Sequence, residues 1–133
     1  MTHHHAVRVY YEDTDAGGVV YHARYLAFAE RARTEALRNL GAPHAELARD
    51  HGLAFVVRRA EMDYLRPARL DDVLDVVTGP WVSGGARVTV AQRIERSGQP
   101  LVTLRIMLAA VGTDGRPARI PARWLAALGR VGE

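Results

Sequence analysis

The chain has 133 residues, a net charge of +3 and no cysteine. That length fits one compact domain, and the missing thiols exclude disulfides, thiolate-bound zinc and a cysteine nucleophile. All eighteen basic residues are arginine, spread along the chain without a dense run, so composition gives little support for a nucleic-acid surface.

The start, MTHHHAVRVYYEDT, has no apolar run of the signal-peptide kind, and no later segment approaches the roughly 20 apolar residues of a membrane span. The expectation is a soluble, cytoplasmic, single-domain protein over residues 1–133. His3, His4 and His5 offer imidazoles to a metal, but a tag-like or disordered start over residues 1–5 is the simpler reading. VRVYYE (7–12) alternates, with Val7, Val9 and Tyr11 on one face, and predicts a first strand.

A polar loop follows, then a stretch rich in Ala, Leu, Glu and Arg. It predicts a helix from about Ala23 to Leu40, stopped by Gly41. Tyr25 to Ala29 are consecutive apolar residues, which predicts burial on every side of that half. A short helix is expected at His44–His51. Strands are expected at 55–65, 73–79, 86–96 and 101–111, with turns at Gly84–Gly85 and Ser97–Pro100, and a closing helix from Pro121 to Leu128. Four strands in hairpin succession predict an antiparallel run curling around the long helix, an α+β arrangement. The sheet edge and the helix's open side invite a second copy.

The loop and its exit, YYEDTDAGGVVYH (10–22), concentrate the chemistry. Asp15 precedes two glycines and a helix start. Amides of Val20 to His22 would stand near the helix N-terminus, unpaired and partly positive, suited to an oxyanion. Beside them Asp15 can attack an acyl carbon or deprotonate water. Plainer roles exist for each residue. Asp13 and Asp15 suit turns or helix caps. Tyr11 suits a core-facing aromatic with an anchored hydroxyl. His22 can be structural, Tyr21 and Tyr25 can simply pack, and a buried Glu30 would pair with Arg58 or Arg59. No HExxH, P-loop, GxGxxG or GxSxG pattern occurs, so no metal and no cofactor is expected.

VYYEDTDAGGVVYHARYLAFAERARTEALR, with AFVVRRAEMDYLRPARLDDVLDV and QRIER further on, resembles the 4-hydroxybenzoyl-CoA thioesterase family of hotdog-fold proteins. Within it the resemblance is to the Tol–Pal-associated acyl-CoA thioesterases, and it covers nearly the whole chain. It implies a five-stranded antiparallel sheet wrapped around one long helix, a homodimer or homotetramer, and hydrolysis of acyl-CoA. It implies Asp15 as the catalytic carboxylate and the His22 amide as the group that polarises the carbonyl, with Tyr11 and the His22 ring assisting. Gly18 would let substrate approach, beside Val19 and Tyr21. Arg58, Arg59 or Arg87 would meet the CoA phosphates. Whether Asp15 acts as nucleophile or base stays open. The rival reading is a non-catalytic module that binds acyl-CoA or acyl carrier protein in envelope assembly. A hotdog hydratase would need a histidine set between proline and glycine, and neither His22 nor His44 has that setting.

Overall fold

A computed structural model of the chain describes residues 2–131. In chain order the elements are β1 (His3–Arg8), α1 (Arg24–Asn39), α2 (His44–His51), β2 (Ala54–Tyr64), β3 (Val73–Gly84), β4 (Arg87–Arg96), β5 (Gln99–Val111) and α3 (Ala122–Val131). The strands form one antiparallel sheet in the order β1-β3-β4-β5-β2. This is the expected α+β, five-stranded arrangement around one long helix.

α1 buries Tyr25, Phe28, Ala29, Ala32, Arg33, Ala36 and Leu37. Their three- and four-residue spacing lays them along one side of the helix. The three alanines are small, so the helix can lie close on the sheet. There it meets Leu74 and Val76 of β3, Val88, Val90 and Ile94 of β4, and Leu104 and Ile106 of β5 in a single core. Each such aliphatic side chain contributes about 1.5–3 kcal/mol when fully buried. β4 alternates as its sequence predicts. α3 closes the far end, with the Trp124 indole N–H donating to the Ala42 carbonyl at 3.2 Å.

Four expectations need correction. The first strand is His3–Arg8, not residues 7–12, and the histidines of residues 2–5 are ordered within it: His3, His4 and His5 pair with Thr78, Val77 and Val76. Beyond Arg8 the chain cannot stay extended, because the Asp13 carboxylate draws in the Tyr10 amide at 2.8 Å and residues 11–13 coil into a short 3-10 turn. That turn throws Tyr11 outward, 83% exposed rather than core-facing. Second, the start of α1 is not buried all round: Leu26 and Ala27 face away from the sheet and are exposed. Third, Glu30 is exposed on the same side, and Arg59 pairs with Glu61 at 3.0 Å instead.

Fourth, the hairpin succession holds only for β3–β4–β5. β2 pairs with β5 at the opposite side of the sheet from β1 and β3. Residues 65–72 carry the chain across. The Leu65 and Arg66 amides donate to the Leu101 carbonyl at 2.8 and 3.1 Å. The Ala68 amide then donates to the buried Tyr25 hydroxyl at 3.0 Å. Burial, first among several influences, raises the Tyr25 pKa and keeps that phenol protonated. The crossover therefore passes against the start of α1, where it touches the polar loop.

Candidate active site

Residues 13–21 make a small hairpin of their own. The Asp15 amide donates to the Val19 carbonyl at 2.9 Å, and the Tyr21 amide to the Asp13 carbonyl at 2.9 Å, with Thr14 opposite Val20. At the tip, Gly18 donates to the Asp15 carbonyl at 3.0 Å. Its φ is +79°, and a Cβ there would meet nothing within 4 Å. Backbone conformation, not crowding, is what calls for glycine at that position. The outer strand is tied to the crossover: Val20 donates to the Ala68 carbonyl at 2.9 Å, and Val19 bridges to Arg69.

The two acids of the hairpin have different surroundings. Asp13 is 5% exposed. It takes the Tyr10 amide on one carboxylate oxygen and the Arg24 Nε on the other, the latter at 2.6 Å. Arg24 is the first residue of α1, so this ion pair fastens the hairpin to the helix. The hydrogen bond to Asp13 is the main cause that holds the Arg24 guanidinium above its ordinary pKa. Asp15 is exposed, and among the described residues its side chain accepts only from the Gly17 amide, at 2.8 Å. Its second oxygen is open to a ligand.

A hollow of about 540 Å³ lies beside the hairpin tip, lined by Tyr11, Thr14, Asp15, Ala16, Gly18 and Leu70. The structure thus brings three of the expected site residues, Tyr11, Asp15 and Gly18, to one surface. Val19, Tyr21 and His22 lie on the outgoing strand and the helix entry and do not line it. Among the described residues, the His22 and Ala23 amides donate no hydrogen bond within the chain. Unpaired amides at a helix N-terminus carry positive partial charge and suit a developing oxyanion. The peptide between these residues is held from the other side, because the Tyr64 hydroxyl donates to the His22 carbonyl at 3.0 Å. The His22 ring lies 4.6 Å from the Tyr21 ring, centroid to centroid.

Arg58 and Arg59 sit on β2, where the pairing with β5 slips between Val57 and Arg59. Neither lines the hollow, and nor does Arg87 at the start of β4. Sequence reasoning missed three supporting residues: Arg24, Tyr64 and Leu70. Alternation could assign Tyr64 a face of β2 but not the carbonyl its hydroxyl reaches. For Arg24 the signal was present, in a basic residue at a helix start eleven positions after an acid. Among the described residues no group of histidines and carboxylates is placed to hold a metal ion, and no helix is long and apolar enough to cross a membrane.

Residues 9–128 match the thioesterase-like superfamily. The chain is 50% identical to the acyl-CoA thioesterase YbgC of Haemophilus influenzae over 105 residues, covering 79% of this chain and 77% of that one. It is 53% identical to the acyl-CoA thioester hydrolase YbgC of Escherichia coli O6:H1 over 88 residues, 66% of this chain and 65% of that one. A crystal structure of a probable thioesterase from Bartonella henselae superposes with a TM-score of 0.85 at 41% identity, over 91% of this chain and all of the other. Fold, matched span and identity agree, and the chain belongs to the thioesterase-like superfamily of hotdog proteins.

Proposed function

We propose that this protein hydrolyses acyl-CoA thioesters at the Asp15 hairpin. The observation that carries the reading is the Asp15 carboxylate itself. It is oriented by one amide and open on its remaining oxygen beside a hollow. The relatives are named for acyl-CoA hydrolysis, and the donor set suits it. In the reaction proposed, the thioester oxygen accepts from the His22 amide, with the helix dipole behind it. Asp15 attacks the acyl carbon, or takes a proton from the water that does. The carbon–sulfur bond breaks, CoA leaves as thiolate and takes up a proton, and water supplies the new acid oxygen. Gly18 leaves room for the acyl–sulfur group, and Tyr11, at the rim, is free to contact the pantetheine arm. Arg58, Arg59 or Arg87 meets the CoA phosphates in a bidentate fork. Acyl carrier protein presents the same bond to sulfur and is a second candidate donor.

A second copy of the chain is the proposed closing wall. Tyr21, Leu26, Val56, Val57 and Leu65 are exposed apolar residues, and β2 is an eleven-residue edge strand with one side unpaired. The decisive assay is thiol release across an acyl-CoA panel by the wild type and by Asp15→Asn. Turnover by the wild type and its loss in the variant support the reading. Equal turnover by both removes Asp15 from the mechanism. Binding without turnover by the wild type favours a non-catalytic acyl-CoA module. Mass spectrometry of a single turnover, searching for acylated Asp15, separates attack by the carboxylate from attack by water.

A further inference from the structure

Two segments, RPARLDDVLDV (66–76) and QRIER (92–96), take no part in the reaction as proposed. The structure joins them. Arg96, the last residue of β4, donates to the Asp72 carboxylate at 2.7 Å. The same carboxylate oxygen accepts the Arg69 amide at 2.8 Å. Burial opposes the charged form, yet the Arg69 amide and the Arg96 guanidinium outweigh it and hold the carboxyl below its ordinary pKa. The Asp72 amide donates in turn to the Arg69 carbonyl at 3.1 Å. A turn over residues 69–72 is thus closed by both the backbone and the side chain of Asp72. Asp71, third in that turn, has a φ of +68°. Turns with this backbone favour glycine or asparagine there, because most side chains are strained in the left-handed region.

Neighbouring segments hold the turn in place. The Asp71 amide donates to the Val9 carbonyl at 3.0 Å, and the Val9 amide to the Asp72 carbonyl at 2.9 Å. The Arg8 guanidinium donates to the Asp71 carbonyl at 3.2 Å, and Arg69 bridges to Val19. Val9 leads into the segment that carries Tyr11, and Val19 belongs to the hairpin that carries Asp15. The turn therefore ties together two walls of the Asp15 hollow and supplies part of a third, Leu70. Leu70 is the one large aliphatic side chain among the lining residues, and it is 44% exposed. An aliphatic side chain stabilises by leaving water, so strain that keeps a leucine partly in water gains little for the fold. The gain comes when a ligand covers it, and backbone strain of this kind gathers at ligand-binding positions.

We propose that Leu70 packs against the substrate beside the reacting thioester, and that Asp72 and Arg96 are positioning residues that fix it there. The proposal deepens the acyl-CoA reading above and rests on it for the identity of the ligand. The contact is apolar: a thioester in an acyl-CoA is flanked by methylene groups, and one of these covers the leucine as the carbonyl carbon approaches Asp15. Asp72 and Arg96 touch no substrate and act only through the turn.

The probe is the acyl-CoA turned over fastest in the panel above, or hexanoyl-CoA if none is. Steady-state thiol release, and calorimetric binding to the full chain carrying Asp15→Asn, are measured well below the Tm of every variant. Leu70→Ala is expected to lower both kcat/KM and affinity by about tenfold. Arg96→Met and Asp72→Asn are each expected to raise KM by about fivefold with kcat within about twofold. Arg96→Lys, which keeps a cation on Asp72, recovers most of that loss. Added to Leu70→Ala, Arg96→Met costs less than about twofold more, because the side chain it positions is gone. A pair with a merely structural role would lower Tm and leave KM unchanged. That result, or full multiplication of the two effects, overturns the positioning role. Leu70→Ala within about twofold of the wild type in both measurements overturns the contact; weaker self-association of that variant in sedimentation then assigns Leu70 to a subunit boundary. If Arg96→Met does not fold, Asp72→Asn decides in its place. No turnover by the wild type, with the Leu70→Ala loss of binding intact, sinks the hydrolase reading and leaves the Leu70 contact standing. No turnover and no binding sinks both.

Discussion

Asp13 and Asp15 stand two positions apart in one hairpin, have the same side chain, and do different work. Asp13 has both oxygens occupied, by the Tyr10 amide and the Arg24 guanidinium, and its backbone carbonyl takes the Tyr21 amide. Asp15 has one oxygen on the Gly17 amide and is otherwise open. A buried carboxylate with a donor on each oxygen is out of a substrate's reach, whereas an exposed one with a vacant oxygen beside a hollow is within it. The hairpin's root is thus architecture, and its tip is where chemistry is available. In a motif that reads DTD, nothing local tells the two acids apart. What separates them is the turn that buries the first and the glycine pair that lifts out the second.

The sharpest way to break this comparison is Asp15→Asn. Thiol release should fall by about a thousandfold, while the thermal midpoint stays within about two degrees of the wild type. Asp13→Asn should do the reverse. It removes charge from a buried pair and a cap, so stability falls by about 2 kcal/mol in urea denaturation, and activity falls only as far as the loop loosens. If Asp13→Asn unfolds at the wild-type midpoint, the root is not architecture. Tyr64→Phe tests the root from the helix side. Losing one hydrogen bond to the His22 carbonyl should cost about 1 kcal/mol, with kcat lowered several-fold and KM little changed.

The smallest effect is a control far from the hairpin. Burial, aided by the neighbouring Arg33 charge, lowers the His44 pKa. Below about pH 6.5 an unfolded imidazole binds a proton that the folded one takes up only at lower pH. The unfolded chain then holds more protons, so this contribution is complete above about pH 6.5 and is lost as pH falls from there. The wild-type Tm should therefore drop between pH 7.5 and 5.5 by more than that of His44→Gln, in thermal scans at both values.

Much of the architecture was legible from periodicity alone. α2 falls at His44–His51 as expected, and the β4 alternation matches its buried set of Val88, Val90 and Ile94. The failures turned on interactions that apolar periodicity does not register, some local and some between distant parts of the chain. Tyr11 continues the alternation of Val7 and Val9 perfectly, and only the Asp13 side chain, reaching back to Tyr10, ends the strand early. Leu26 and Ala27 read as buried because an apolar run does not say what will cover it. β2 and β3 read as neighbours because adjacent strands usually pair. The tether of Leu65 and Arg66 to Leu101 that sends the chain across is invisible in sequence. Sequence singled out Asp15 as a candidate carboxylate but not Arg24 or Tyr64, whose partners depend on how the hairpin docks against the helix.

The N-terminal strand has a practical consequence. His3–Arg8 shields the outer backbone groups of β3, residue for residue, from Thr78 to Val73, and His4 adds a 2.7 Å contact to Asp75. Trimming the first eight residues as dispensable leader would strip that side bare. The remnant would present raw hydrogen-bonding ribbon at both flanks and be prone to fibrous self-association. Residues 3–8 are therefore part of the sheet, and any shortened form of the protein should keep them.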